Sequence, residues 1–256
     1  PNYNKIEALP NPVLKYVNGS AKVDSEFVED VLNQTRQLIQ SNTNIACVLM
    51  EPIQCTFGDH YFPISFFEGI RQICDEFDIP LIFDEIQVGF GGTGKLWYFE
   101  HLPIIPDIVV FGKKTLLSGM MVREKFAKIF DTPIRLEVTW DADLLDMLRC
   151  TYAIKAYQEY GILDNVNKMG DLLIKELETI PHIKNLRHCG LLVAFDFENQ
   201  QIRDHYVNEL YQRGFICNPT KDVTIRLRPN LAISEEDLRY GVSILKLSFL
   251  QIKVML

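Results

Sequence analysis

The sequence predicts an α/β unit built on a mostly parallel sheet, followed by a smaller α+β unit. Three observations carry this. Short apolar runs at 45–50 (IACVLM), 80–85 (PLIFDE) and 107–111 (DIVVF) fit strands buried on both faces, as parallel sheets require. Helical periodicity separates them, and strand–helix–strand order marks an α/β layer. Past residue 140 the texture changes to long helices and scattered short strands. The boundary is therefore placed near 140, with 1–140 as one unit, 141–256 as the other, and a long helix bridging them.

The elements follow in order. Pro1, Pro10 and Pro12 make the first 20 residues read as surface loop. Residues 25–40 form a helix, with Phe27, Val28, Val31, Leu32, Leu38 and Ile39 on one face. Residues 65–78 form another, with Phe66, Phe67, Ile70, Ile73, Cys74 and Phe77 at 3–4 spacing. Beyond the boundary, helices are predicted over 143–159, 164–178 and 202–213, with strands at LLVAFDF (191–197), FIC (215–217) and VTIRLR (223–228). A last helix starts at Ser234, where Ser234 and Asp237 resemble a capping box.

Composition narrows the function classes. The chain has 256 residues, 47% hydrophobic and 23% charged, which excludes a disordered or fibrous protein. A net charge of −8 disfavours a broad nucleic-acid surface. No apolar stretch is long enough for a membrane helix, and no secretory signal is visible. The cysteines at 47, 55, 74, 150, 189 and 217 form no C-x-x-C pair, and the histidines show no metal spacing. Buried reduced thiols in a cytoplasmic protein are expected. The chain opens without methionine, so a start further upstream is expected.

The chemistry concentrates in LIFDEIQVGFGGTGKLW. Asp84 falls at the carboxyl end of a strand, where ligands of open α/β sheets bind. It could instead cap the next turn. Glu85 faces the opposite way, so the two acids make a poor acid/base pair. Gly89–Lys95 nearly matches a P-loop, but Leu96 replaces the magnesium-binding hydroxyl and one strand would have to serve both nucleotide motifs. Lys113 and Lys114 follow the third strand. They read either as solvated loop lysines or as a buried amine suited to Schiff-base chemistry. Taken with Asp84, the second reading gains weight, since a pyridoxal phosphate site needs a lysine for the aldehyde and an acid for the ring nitrogen.

EPIQ (51–54), GDHYF (58–62), residues 66–97 and PDIVVFGKK (106–114) together resemble the class III, fold-type I aminotransferases. Within that family the likeness is greatest to the lysine 6-aminotransferase branch, then to the 4-aminobutyrate branch. The resemblance implies the pyridoxal-phosphate-dependent transferase fold, with residues 1–140 as the latter part of the cofactor-binding large domain and 141–256 as the small domain. It implies a homodimer that moves the terminal amine of L-lysine to 2-oxoglutarate; the alternatives are a related ω-aminotransferase acting on 4-aminobutyrate or ornithine, or a non-catalytic truncated paralogue that dimerises or binds a partner. By position, Asp84 resembles the pyridinium partner, Ile86 the residue packed on the ring, and Gln87 the partner of its phenolic oxygen. Lys114 resembles the lysine that binds the aldehyde, with Lys113 its neighbour. Thr139 resembles the threonine that reaches the phosphate in the other subunit. Arg226, with Arg228 as backup, resembles the substrate-carboxylate arginine, and Glu51 the gate glutamate that pairs with it. The family's phosphate loop and ring-stacking aromatic belong to an upstream half absent here. Two departures stand out: Thr139-Trp140-Asp141-Ala142-Asp143 replaces T-W-G-G-N, and Cys55-Thr56-Phe57 follows EPIQ where small residues are usual.

Overall fold

A computed structural model describes residues 6–17, 20–133, 136, 139, 141–181 and 183–252. A small antiparallel hairpin comes first, β1 (Lys15–Val17) with β2 (Ser20–Lys22). Helix α1 (Ser25–Ser41) begins where the Asp24 carboxylate accepts the Phe27 N–H at 3.1 Å, a cap worth about 1 kcal/mol. Then come β3 (Val48–Met50) and a short antiparallel pair, β4 (Ile53–Gln54) with β5 (His60–Tyr61). Helix α2 (Ile64–Glu76) leads to β6 (Leu81–Asp84), β7 (Ile108–Phe111) and β8 (Gly119–Val122).

The main sheet runs β3-β6-β7-β8, the first three parallel and β8 antiparallel. Its core joins Val28 and Val31 of α1 to Phe66, Phe67 and Ile70 of α2 and to Leu81 and Phe83 of β6. Phe67 and Phe83 meet edge to face at 5.7 Å. The run IACVLM departs from expectation. Only Val48–Met50 is strand, and Leu49 is 64% exposed. β3 is an edge strand whose Val48 and Met50 pack on the core while Leu49 faces away.

Helix α3 (Leu144–Glu159) starts at Asp143, whose carboxylate accepts the N–H groups of Leu145 and Asp146. None of its residues is buried, and Leu144, Leu145, Leu148 and Tyr152 are exposed. It touches the first unit through Tyr157, whose hydroxyl donates to the Phe90 carbonyl at 2.8 Å.

The rest comprises α4 (Ile162–Leu177), β9 (Lys184–Cys189), β10 (Leu192–Asp196), α5 (Gln200–Gln212), β11 (Asn218–Thr220), β12 (Thr224–Leu227) and α6 (Glu235–Ile252). Its antiparallel sheet runs β11-β12-β10-β9. A second core gathers Val166, Met169 and Leu173, Val193 and Phe195, Tyr206 and Leu210, Ile225, and Leu245. At the start of α6 the Ser234 hydroxyl accepts the Asp237 N–H at 3.0 Å and donates to its carboxylate at 2.7 Å. FIC is not a strand. The pairing falls one step later at Asn218–Thr220, where Pro219 is tolerated because β11 is an edge.

Backbone joins the two units at a glycine contact. The Leu191 N–H donates to the Gly92 carbonyl at 3.0 Å. Gly190 sits at φ +56°, and a Cβ there would lie 2.6 Å from the Thr93 carbonyl carbon. Only glycine permits both the conformation and the approach.

Candidate functional site

Asp84 ends β6 opposite Val110 of β7, so Lys113 follows that register partner by three residues. The Ile86 N–H donates to Asp84 Oδ1 at 3.0 Å. The acid thus does cap the following turn, and its second oxygen remains available to a ligand. Glu85 points into the core, as the alternation predicts. Its carboxylate accepts the N–H groups of Tyr98 at 2.6 Å and Phe99 at 2.9 Å. Burial nevertheless pushes its pKa up to about 7. Ile86 lies against Gly112, where a Cβ would sit 3.7 Å from Ile86 Cγ1.

The two lysines have different surroundings. The Lys114 ammonium donates to the carbonyls of Gln87 at 2.7 Å and Gly89 at 3.1 Å. Burial is the main cause that lowers its pKa to about 8, and the charges of Arg228 and Lys113 add to it. Lys113 has a left-handed φ of +57° and an exposed side chain with no hydrogen bond or ion pair. Its charge acts on Glu51, and so does that of Asp84. Burial first, then the Asp84 charge, raises the Glu51 pKa. Glu51, Asp84 and Lys113 are therefore near enough for their charges to act on one another. The Lys114 ammonium is thus held on the turn beyond Asp84, whereas the Lys113 amine is held by no hydrogen bond or ion pair.

Arg226 lies in β12 and Arg228 just past its end, and both reach the loop of Cys55 and Asp59. Arg226 Nη1 donates to the Cys55 carbonyl at 2.9 Å, while its Nε is buried without a hydrogen-bond partner. Arg228 Nη2 lies 2.6 Å from both carboxylate oxygens of fully buried Asp59. The expected Glu51–Arg226 pair is not formed, because the Arg226 fork rests on Cys55 and Glu51 lies near Asp84. Thr139 occupies an exposed turn, and Trp140 lies outside the described residues.

Two residues of this region carry more than the sequence suggested. Sequence does not distinguish the surroundings of the adjacent Lys113 and Lys114, one exposed and the other held by two carbonyls. Asp59, within GDHYF, bears no sequence mark of its buried pairing with Arg228. Among the described residues no group of three or more His, Cys, Asp or Glu could hold a metal ion, and no helix is long and apolar enough to cross a membrane.

This parallel sheet, with an acid and a lysine at its strand ends and an antiparallel unit carrying arginines beside them, matches a known family. The class-III aminotransferase model matches residues 3–249, and the chain belongs to that family. The L-lysine-epsilon aminotransferase of Mycobacterium tuberculosis is 35% identical over 224 residues, covering 84% of this chain and 50% of the relative. That of Amycolatopsis lactamdurans is 30% identical, covering 94% and 56%. Among solved structures, the lysine aminotransferase from M. tuberculosis in the internal aldimine form superposes with a TM-score of 0.85 at 33% identity, covering 90% of this chain and 55% of that one. The chain spans about half the length of these relatives. Pyridoxal phosphate is the cofactor that membership implies.

Proposed function

We propose that the whole protein transfers the ε-amine of L-lysine to 2-oxoglutarate, giving aminoadipate semialdehyde and glutamate. The observation that carries this reading is Asp84 at the carboxyl end of β6 with Lys113 just past the end of the neighbouring parallel strand β7. The residues fit the cofactor: an acid with one oxygen available, a free amine, and an arginine with a buried unpartnered Nε. When bound, pyridoxal phosphate supplies an aldehyde and an electron-accepting ring.

The chain's own groups divide the remaining work. Asp84 would hold a proton on the ring nitrogen. Lys113 would hold the aldehyde and, once the donor amine had replaced it there, would move the proton at the substrate carbon as a neutral amine. Ile86 would pack on the ring, and the Gln87 side chain would bond its oxygen. Arg226 would bind a substrate carboxylate, since its fork faces no acidic side chain. Glu51 would act on the site through its charge beside Asp84. Thr139 serves the neighbouring copy's phosphate in a homodimer. Lysine is chosen as donor because the lysine-epsilon relatives reach 35% identity, against 30% for an ornithine aminotransferase of Staphylococcus aureus and 29% for a probable 4-aminobutyrate aminotransferase of Caenorhabditis elegans.

Borohydride reduction of the cofactor-loaded full-length protein, followed by fragment-ion sequencing, tests the amine. The label is expected on Lys113. A label on Lys114 assigns the role to the lysine that the family resemblance points to, and scattered labelling removes the reading altogether. A donor panel of lysine, ornithine and 4-aminobutyrate then tests the substrate.

A further inference from the structure

Four side chains of the C-terminal unit converge on one loop of the first, residues 55–59. Thr220 Oγ1 donates to the Thr56 carbonyl at 2.6 Å. Arg187 Nε donates to the carbonyls of Gly58 and Asp59, both at 3.0 Å. Arg226 holds the Cys55 carbonyl, and Arg228 holds the Asp59 carboxylate. Asp59 keeps a left-handed φ of +52° at full burial, so the loop is fixed against the backbone's own preference.

The charges in this cluster are arranged unevenly. Arg226 and Arg228 both face the loop, and both would be cations open to a ligand if nothing opposed them. Asp59 opposes only Arg228. The charge of Arg228 reaches the Lys114 ammonium on the turn beside the site, so its neutralisation changes the charge balance there.

We propose that Asp59 is a specificity residue: by neutralising Arg228 it leaves Arg226 as the only one of the two guanidiniums open to a ligand carboxylate. This end of the pocket then takes one carboxylate and not two. The inference rests on the carboxylate role proposed for Arg226.

Calorimetric binding of pentanoate and glutarate to the full-length cofactor-loaded protein tests it. The two acids share a chain length and differ in the second carboxylate. In Asp59→Asn the affinity ratio of glutarate to pentanoate is expected to rise about tenfold, because a second cation becomes available. A loop that was merely loosened would weaken both acids alike and leave the ratio unmoved, which overturns the proposal. In the double variant Asp59→Asn/Arg228→Met the ratio is expected to return to the parent value. Replacing a whole buried ion pair by uncharged groups is tolerated better than breaking it, so the double variant separates the freed cation from the lost contact, and Asp59→Ser, read in the same way, stands in if Asp59→Asn does not fold. A double variant whose ratio differs tenfold from the parent also overturns the proposal. Failure of the parent to bind either acid removes the Arg226 role and this inference together. An unmoved ratio removes this inference alone.

Discussion

The ammonium of Lys114 lies 2.7 Å from the backbone carbonyl of Gln87, so one lysine of the adjacent pair is a strut for the loop that carries the other's neighbours. Lys114→Met removes the donor shared by Gln87 and Gly89 and leaves two carbonyls short of a partner. A loss of about 1–3 kcal/mol is expected. Hydrogen exchange of the amides at 87–94 should quicken, while covalent cofactor attachment persists. An unaltered exchange pattern would contradict the strut.

The same lysine predicts a pH effect. Its pKa falls from 10.5 to about 8 on folding. Between those values the unfolded chain binds more protons, so this group makes stability rise with pH across roughly pH 8 to 10.5. Denaturant titrations over that window should show the rise in the parent and its absence in Lys114→Met.

Asp84→Asn keeps the Ile86 N–H bond through the amide oxygen but cannot hold a proton on a ring nitrogen by charge. Turnover should fall about 10²–10³-fold, as when a preorganised electrostatic partner is removed. Single-turnover rates with lysine measure this. A fall confined to KM would place Asp84 outside the chemistry.

Arg226→Lys exchanges a fork for a point charge and abandons the Cys55 carbonyl geometry. KM for 2-oxoglutarate should rise by about tenfold or more, equivalent to about 1.4 kcal/mol, with a smaller effect on turnover. Steady-state kinetics with each substrate varied in turn separates the two.

Gly190→Ala forces a Cβ to within 2.6 Å of the Thr93 backbone at a left-handed φ. Neither can relax without separating the two units. A destabilisation of about 2 kcal/mol or more is expected by thermal melting, and Gly214→Ala, at an open position, serves as the comparison for φ strain alone.

Much of the fold was legible because it follows hydrophobic period. α2, α4 and β6 carry apolar residues at the spacing their element demands, and Ser234 with Asp237 announces a helix start. What escaped notice has a physical reason in each case. β9 (Lys184–Cys189) reads KNLRHC and has no apolar run, since its stability comes from pairing with β10. β8 reads GMMV and was hidden by the preceding turn. In the site, Asp84 was visible from its place after an apolar strand. The roles of Lys113 and Lys114 depend on which amine meets the carbonyls of Gln87 and Gly89, a long-range relation that no spacing rule contains. Asp59 and Arg228 are likewise joined across 169 positions.

The grip of Arg187, Thr220, Arg226 and Arg228 on a five-residue stretch has a mechanical consequence. Neither unit can swing away from its fellow without tearing several buried polar links at once, so the pair should lose structure on heating as one cooperative body. The candidate site is thus bordered by a rigid corner, not by a hinge.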